Sequence, residues 1–286
     1  MFKVFGFYKF IKIKFLKKNK DFLQKFLTSN NIRGTIIVAK EGLNGTISGR
    51  TKDIDKTTKK LKSLFSFKQF DNNNESKSKF QPFHKPKVKI KKEVVPIDKT
   101  IINREGNHIE PKKWNNFMQR EDVIVIDIRK PFENKIGTFK SAINPNVNSF
   151  RQFQNYFDNL IKKNKKKIAI FCTGGVRCEK ASAYLKDKGV DDVYQLQGGI
   201  LNYINTIPEK KSSWNGECFV FDRRISIRHN SLPGSYSMCY ACRMPVNKKE
   251  MSFKEYNEGI SCHYCYNKLS VIQKKKFAMR QKNKKK

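Results

Sequence analysis

The sequence is poor in long apolar runs, in acid and in histidine. No stretch of about 18 uncharged apolar residues occurs, so no membrane-crossing helix is expected. The opening residues, Met1-Phe2-Lys3-Val4-Phe5-Gly6, lack the apolar core and small-residue cleavage site of a secretory signal. The four His do not form, with a carboxylate, a legible two-His facial triad for iron, and no flavin or nicotinamide fingerprint is present. Asp and Glu number only 25 against 61 Lys and Arg, a net charge of +36. A surplus of this size suits a polyanionic partner such as nucleic acid. Only twelve of the basic residues are Arg, and Lys, Asn, Ile and Phe are all abundant, as in an AT-rich coding sequence. Part of the charge therefore belongs to solvated surface, and it supports RNA binding without establishing it. Cysteine is also sparse, with an odd count of seven in 286 residues. That excludes a small disulfide scaffold and, with the paired CxxC motifs described below, points to a reducing, cytoplasmic setting.

The chain does contain a poised cysteine. Ile168-Ala169-Ile170-Phe171 reads as a buried strand, Glu179 to Lys188 as a helix, and Cys172-Thr173-Gly174-Gly175-Val176-Arg177 lies between them. A thiol there is expected within a ring of backbone N–H groups, with the positive end of a helix and Arg177 favouring the thiolate. Gly174 and Gly175 are expected to take backbone angles closed to other residues. Cys178 follows at once; it can act as a resolving thiol for an oxidised Cys172 or simply pack at the helix start.

Around this loop the chain divides into regions. Residues 1–95 read as a ferredoxin-like, acylphosphatase-like βαββαβ domain. Its strands are Lys3 to Lys9, Gly34 to Lys40, Thr46 to Gly49 and Val88 to Val95, and its helices are Asn19 to Asn30 and Thr51 to Phe65. Glu41-Gly42-Leu43-Asn44-Gly45 is expected to join the second and third strands, and the polar stretch Asp71 to Lys79 to be a mobile loop. Residues 96–113 form the expected linker. Residues 114–208 alternate strand and helix. Val123 to Asp127, Ile168 to Phe171 and Val193 to Leu196 are apolar runs typical of a parallel sheet covered on both faces, with Phe150 to Lys162 and Glu179 to Lys188 as helices. A reactive loop at the carboxyl end of a strand is where such sheets place their sites. In residues 209–286, Glu217 to Ile227 is a strand candidate, and the tail from Lys274 carries eight positive and no negative side chains.

The last region also holds Cys239-x2-Cys242, nineteen residues, then Cys262-x2-Cys265. This is the spacing of a four-cysteine zinc ribbon, in which two knuckles close one tetrahedral structural site. His263 lies between two of the ligands, where four thiolates already complete the shell.

The Cys172 loop resembles the active-site loop of the rhodanese superfamily. Asp127-Ile128-Arg129, Glu133, Gly137, Ala142 and Asn144 reproduce that family's pattern after its first strand, and Gln197-Gly198-Gly199 its later glycine turn. Four residues separate Cys172 from Arg177, one fewer than in the superfamily's phosphatases, which suits a sulfur-sized group better than a phosphate. Asp127, Arg129 and Glu133 are expected to hold the fold through ion pairs and hydrogen bonds. Over nearly its whole length the chain resembles the bacterial rhodanese-domain family of tRNA uridine(34) hydroxylases, through AKEGLNGTISG (39–49), FCTGGVRCEKASAYL (171–185), GECFVFDRR (216–224), CYACRMP and SCHYCY. The resemblance implies oxygen-dependent hydroxylation of the wobble uridine of tRNA at carbon 5. It puts Cys172 at the active-site cysteine position, associated by analogy with rhodaneses with a persulfide. It also implies molecular oxygen as co-substrate and a tRNA anticodon loop as partner; no obligate protein partner is visible. Two alternatives stand beside it: a sulfurtransferase moving sulfane sulfur, and a non-catalytic RNA-binding protein whose rhodanese unit senses redox state.

Overall fold

A computed structural model describes residues 1–97, 106–163 and 166–285. Of the expected linker, 96–113, residues 98–105 fall outside these, and residues 107–113 are not linker: 107–109 form a strand paired into the second unit's sheet and its first helix starts at Pro111.

The first unit begins with β1 (Phe2–Phe10), α1 (Leu16–Ser29), β2 (Arg33–Ala39), β3 (Gly42–Gly49) and α2 (Thr51–Leu64), followed by β4 (Asn72–Ser78) and β5 (Pro86–Ile90). The sheet order is β4-β1-β3-β2-β5, antiparallel except where β5 runs parallel to β2. Alternation along the strands decides its two faces. Phe5, Phe7, Ile36, Val38, Leu43 and Ile47 pack with Leu23 and Leu27 of α1 and Ile54 and Leu61 of α2 in one core. The other face, including Gly6, Tyr8, Asn44 and Thr46, turns towards the rest of the molecule.

Three expectations fail in this unit. The polar stretch 71–79 is not a loop: Asn72–Ser78 is the fourth ferredoxin-like strand, paired antiparallel with β1 from Phe2↔Ser78 to Tyr8↔Asn72. Its side chains alternate between half-buried and exposed, so an edge strand forms on backbone pairing without apolar content. The strand expected at Val88 to Val95 ends at Ile90 and is an appended fifth strand at the opposite edge. The expected connection 41–45 is mostly strand as well, because β3 starts at Gly42 and the turn is only Lys40-Glu41.

The second unit contains β6 (Asn107–Ile109), α3 (Pro111–Met118), β7 (Val123–Asp127), α4 (Pro131–Ile136), β8 (Gly137–Phe139) and α5 (Phe153–Lys163). It continues with β9 (Lys167–Phe171), α6 (Val176–Asp187), β10 (Val193–Leu196) and α7 (Gly199–Thr206). Its sheet, β6-β10-β9-β7, is wholly parallel. Ile168 and Ile170 face α5 and α6, while Ala169 and Phe171 face Trp114 of α3 and Ile200 and Tyr203 of α7. Apolar burial on both faces explains the unbroken VIVID and IAIF runs. The helix expected from Glu179 begins three residues earlier, at Val176, which places Arg177 and Cys178 in its first turn.

In the last unit, Glu217 to Ile227 is not one strand. It holds the short pair β12 (Cys218–Phe219) and β13 (Ser226–Ile227), because Asp222 and Arg224 bind each other within the reversal. Before it, β11 (Trp214–Gly216) pairs with β8. After it come β14 (Ser237–Met238), β15 (Pro245–Val246), α8 (Lys248–Met251) and α9 (Val271–Lys285). The basic tail is therefore helical, and Arg280 ties it to the cysteine segment by donating to the Tyr240 and Gly259 carbonyls. Among the described residues no helix is long and apolar enough to cross a membrane.

Candidate active site and metal cluster

Cys172 ends β9 and is fully buried. Its Sγ accepts a hydrogen bond from the Gly175 N–H at 3.2 Å. Burial alone would raise its pKa. The Cys178 thiol, the Arg177 charge and the N–H groups of residues 177 and 178 outweigh that and bring it down to about 6. Cys178 moves the other way, raised by burial and by its bond to Cys172, so it serves as the proton donor of the pair. Of the two loop glycines only Gly175 needs the freedom expected of both, with φ +94°. The loop is held from below by the start of α7, where the N–H groups of Ile200 and Leu201 donate to the carbonyls of Cys172 and Thr173. A Cβ on Gly199 (φ +66°) would lie 2.5 Å from the Cys172 oxygen, so this close approach admits glycine only.

Arg177 does not point its guanidinium at the sulfur. It makes a two-pronged pair with Glu133 at 2.9 Å on each prong, and also donates to the Thr173 hydroxyl. Burial works against the charge on Glu133, but Arg177, Arg129 and the Lys130 N–H hold its pKa below the ordinary value. Behind it, buried Arg129 grips Asp127 through two nitrogens at 2.8 and 2.6 Å and donates to the carbonyls of Glu133 and Gly137. Asn134 and Thr138 also donate to the Asp127 carboxylate, and Asn144 donates to the carbonyls of Asp127 and Arg129. The structure thus brings Asp127, Arg129, Glu133, Thr173 and Arg177 into one continuous network ending at the loop. Cys218 lies outside it as a buried thiol whose pKa burial raises to about 12.

The loop opens into a cleft of about 700 Å³ between the first two units. Cys172, Thr173, Gly174, Val176 and Arg177 form one wall, and the free face of the β1–β5 sheet forms the other. Phe83 and Phe221 also line it. Several residues that close this cleft were not identified from sequence. Asn72 and Asn74 donate to the carbonyls of Gly174 and Gly198, clamping the glycine turns from across the interface. Tyr8 donates to Glu179 at 2.7 Å, and the same carboxylate accepts from Gln195 and lies 3.1 Å from His108 Nε2. Lys180, 1% exposed, binds both Glu41 and Glu93 at 2.8 to 3.1 Å. Glu41 and the Glu179-Lys180 pair sit inside AKEGLNG and CEKAS, so the signal was in view, but nothing in either motif names its partner.

The thiols of Cys239, Cys242, Cys262 and Cys265 all lie within 4.8 Å of one another. The separations 3.9 Å (239–265), 3.6 Å (242–262) and 3.9 Å (262–265) compare with about 3.8 Å between sulfurs on a tetrahedral zinc with 2.3 Å bonds. The cluster can bind a metal, and these distances fit zinc. His263 stacks on Tyr264 and is not among the ligands.

Residues 2–94 match the UPF0176 acylphosphatase like domain, and residues 110–206 match the rhodanese-like domain. Among solved structures, the rhodanese-like domain of an Anabaena protein is 14% identical, covering 40% of this chain and 80% of that one, with a TM-score of 0.31. A rhodanese-related protein of Thermoplasma volcanium is 23% identical over 34% of this chain and 90% of that one, with a TM-score of 0.25. The curated tRNA uridine(34) hydroxylase of Pelagibacter ubique is 57% identical over 284 residues, which are 99% of this chain and 94% of that protein. With both domains in order and an identity of this extent, the chain belongs to the tRNA uridine(34) hydroxylase family.

Proposed function

We propose that this chain is the enzyme that hydroxylates uridine 34 of tRNA at carbon 5, giving 5-hydroxyuridine. The observation that carries the reading is the 57% identity to the Pelagibacter ubique hydroxylase over 99% of the chain. The cleft supports it chemically: a low-pKa thiol faces a cavity of about 700 Å³, roomy enough for a pyrimidine nucleotide turned out of its stack. Molecular oxygen is the co-substrate. Cys172 acts on the base; the N–H groups of Gly175, Arg177 and Cys178 and the Cys178 thiol hold its sulfur, and Thr173, Gly174 and Val176 complete the loop around it. Arg177 fixes the loop and supplies positive charge. Asp127, Arg129 and Glu133 position Arg177. The thiolate adds to carbon 6 of uridine and makes carbon 5 electron-rich; carbon 5 takes one oxygen atom of O2, the other leaves as water with two electrons from an external reductant, and loss of the C5 proton then breaks the C6–S bond and frees Cys172. Zinc on Cys239, Cys242, Cys262 and Cys265 is structural, since four thiolates leave no open position. The net charge of +36, with α9 at one end, supports sequence-independent phosphate contacts around the anticodon loop. Residues 1–95, 114–208 and 209–286 act as the three working parts, in the cytoplasm, where tRNA and reduced thiols coexist.

The test is tRNA from cells with and without the gene, digested and searched for 5-hydroxyuridine by mass spectrometry. The nucleoside is expected to vanish without the gene and to return with wild type but not with Cys172→Ala. An unchanged level in a strain with no second hydroxylase overturns the reading. The four-residue gap between Cys172 and Arg177 favours one alternative, sulfur transfer through a persulfide on Cys172. A thiosulfate–cyanide assay on the purified protein separates it from hydroxylation.

A further inference from the structure

The cleft has two walls, and only one of them carries the reactive sulfur. The polar side chains around that sulfur are already engaged: Arg177 on Glu133, Tyr8 on Glu179, and Asn72 and Asn74 on loop carbonyls. Asn44 differs. It sits in mid-strand on β3, paired with Tyr8 on one side and Ile37 on the other, and is half-buried in the opposite wall. Its carboxamide makes no hydrogen bond among the described residues, so a donor and an acceptor side by side face the cavity unspent. Its amide atoms are not sealed from solvent, so water can occupy both bonds until a ligand edge carrying the matching donor and acceptor takes its place. We infer that Asn44 is the residue that holds the base by its pairing edge and so positions the ring in the cleft. Its Oδ1 accepts from the N3–H of uracil, and its Nδ2 donates to the neighbouring carbonyl oxygen.

The chemistry of the ring agrees with this placement. The N3 edge of a uracil lies opposite its C5–C6 edge. A base held through N3 by the sheet wall presents C5 and C6 to the Cys172 wall. Cytosine presents the reverse order, an acceptor at N3 beside an amino donor at C4, which the unpinned carboxamide meets after a half-turn, so Asn44 reads an open pairing edge and does not by itself tell uracil from cytosine. Phe83 and Phe221 offer ring faces for stacking, which does not discriminate between bases and leaves the in-plane position of the ring to the carboxamide.

This inference rests on the uridine 34 reading above, and its test separates the two. Purified full-length protein is titrated with anticodon stem-loop RNAs carrying uridine, 3-methyluridine, cytidine or no base at position 34, and binding is read by fluorescence anisotropy. Wild type is expected to bind the uridine RNA roughly ten- to a hundred-fold tighter than the 3-methyluridine RNA. Asn44→Leu is expected to lose a similar factor on uridine and to gain no further loss from the methyl group, the signature of a direct contact. Asn44→Asp, which keeps the side-chain size and serves if the Leu variant does not fold, offers two acceptors and no donor, and is expected to weaken binding of the uridine and cytidine RNAs alike. Full discrimination against the methyl group retained in folded Asn44→Leu, or undiminished binding of both RNAs by folded Asn44→Asp, overturns the assignment of Asn44. Wild type that binds the baseless RNA as tightly as the uridine RNA overturns the parent reading and this one together.

Discussion

The state of Cys172 is the most direct quantity to measure. In the folded chain its pKa falls from 9.0 to about 6, against the effect of its own burial. At about 1.36 kcal/mol per unit, three units amount to about 4 kcal/mol of preference for the thiolate in the native state. The group's pKa is lower folded than unfolded, so this stabilisation is complete above pH ~9 and lost as pH falls to ~6. At pH 7 it is about 1.4 kcal/mol. The assay is the ultraviolet absorbance of the thiolate, titrated in wild type and in Cys172→Ser, the difference isolating one sulfur from seven. A midpoint near 6 is expected. Cys178→Ala removes the donor thiol and should move the midpoint up. The double variant Arg177→Met/Glu133→Gln removes the nearby positive charge without stranding a buried carboxylate, and should raise it by about 1–3 units. Urea unfolding of wild type and Cys172→Ser across the same range should show their stability difference growing with pH. A difference titration centred near 9, or one insensitive to the Arg177/Glu133 double variant, refutes the argument that the loop is built to hold a thiolate.

Other perturbations have equally definite outcomes. Lys180→Met leaves Glu41 and Glu93 buried without their shared cation and should cost about 3–5 kcal/mol in denaturant unfolding; restoring much of that loss by adding Glu41→Gln and Glu93→Gln would identify the uncompensated charge as the cause. If the four cysteines hold zinc as proposed, prolonged chelation or Cys242→Ser should release one zinc per chain by elemental analysis and expose residues 237–269 to protease, since the apolar cluster around Val246 is small. With oxygen-18 gas supplied to cells, 5-hydroxyuridine should carry the heavy isotope, and label arriving from water instead would remove oxygen as co-substrate. Removing residues 274–286 takes away eight positive charges and should flatten the salt dependence of RNA binding, while an unchanged slope would show that α9 touches no phosphate.

What could be read from sequence follows from the range of the interactions. VIVID and IAIF announced a doubly covered parallel sheet because their burial is a property of each strand alone. The Cys172 loop and the paired CxxC motifs were legible because their chemistry is set by near neighbours in the chain. Asn72–Ser78 was not, because an edge strand without apolar residues gains its structure from the backbone of β1 and from polar contacts across the cleft. Glu41 and Lys180 are 139 residues apart, and Tyr8 and Glu179 are 171 apart. No local pattern marks either pair, although Glu41, Glu179 and Lys180 all lie in the stretches that carry the family resemblance. His108 likewise had no sequence context, and gains one only when β6 lies beside β10 and brings it against Gln195.

These distant pairs explain why the reactive loop requires a second unit beside it. On its own the loop offers a thiolate and a ring of donors, a device suited to many acceptors. The facing wall comes from β1–β5, and beside the Asn72 and Asn74 clamps two buried polar contacts set how that wall meets the loop. Both land on consecutive residues of one helix turn: Glu179 accepts from Tyr8 of β1, and Lys180 donates to Glu41 of the β2–β3 turn. That turn begins one residue after Cys178, so the helix that supplies donors to the sulfur also carries the sockets for the opposite wall. An apolar interface of equal area would hold the two units together but would tolerate sliding. Hydrogen-bonded charges leave an unmatched buried group at any other register, a penalty of a few kcal/mol for each. The cleft is therefore fixed in width where the sulfur lies, which a single pyrimidine ring between two chemically different walls demands.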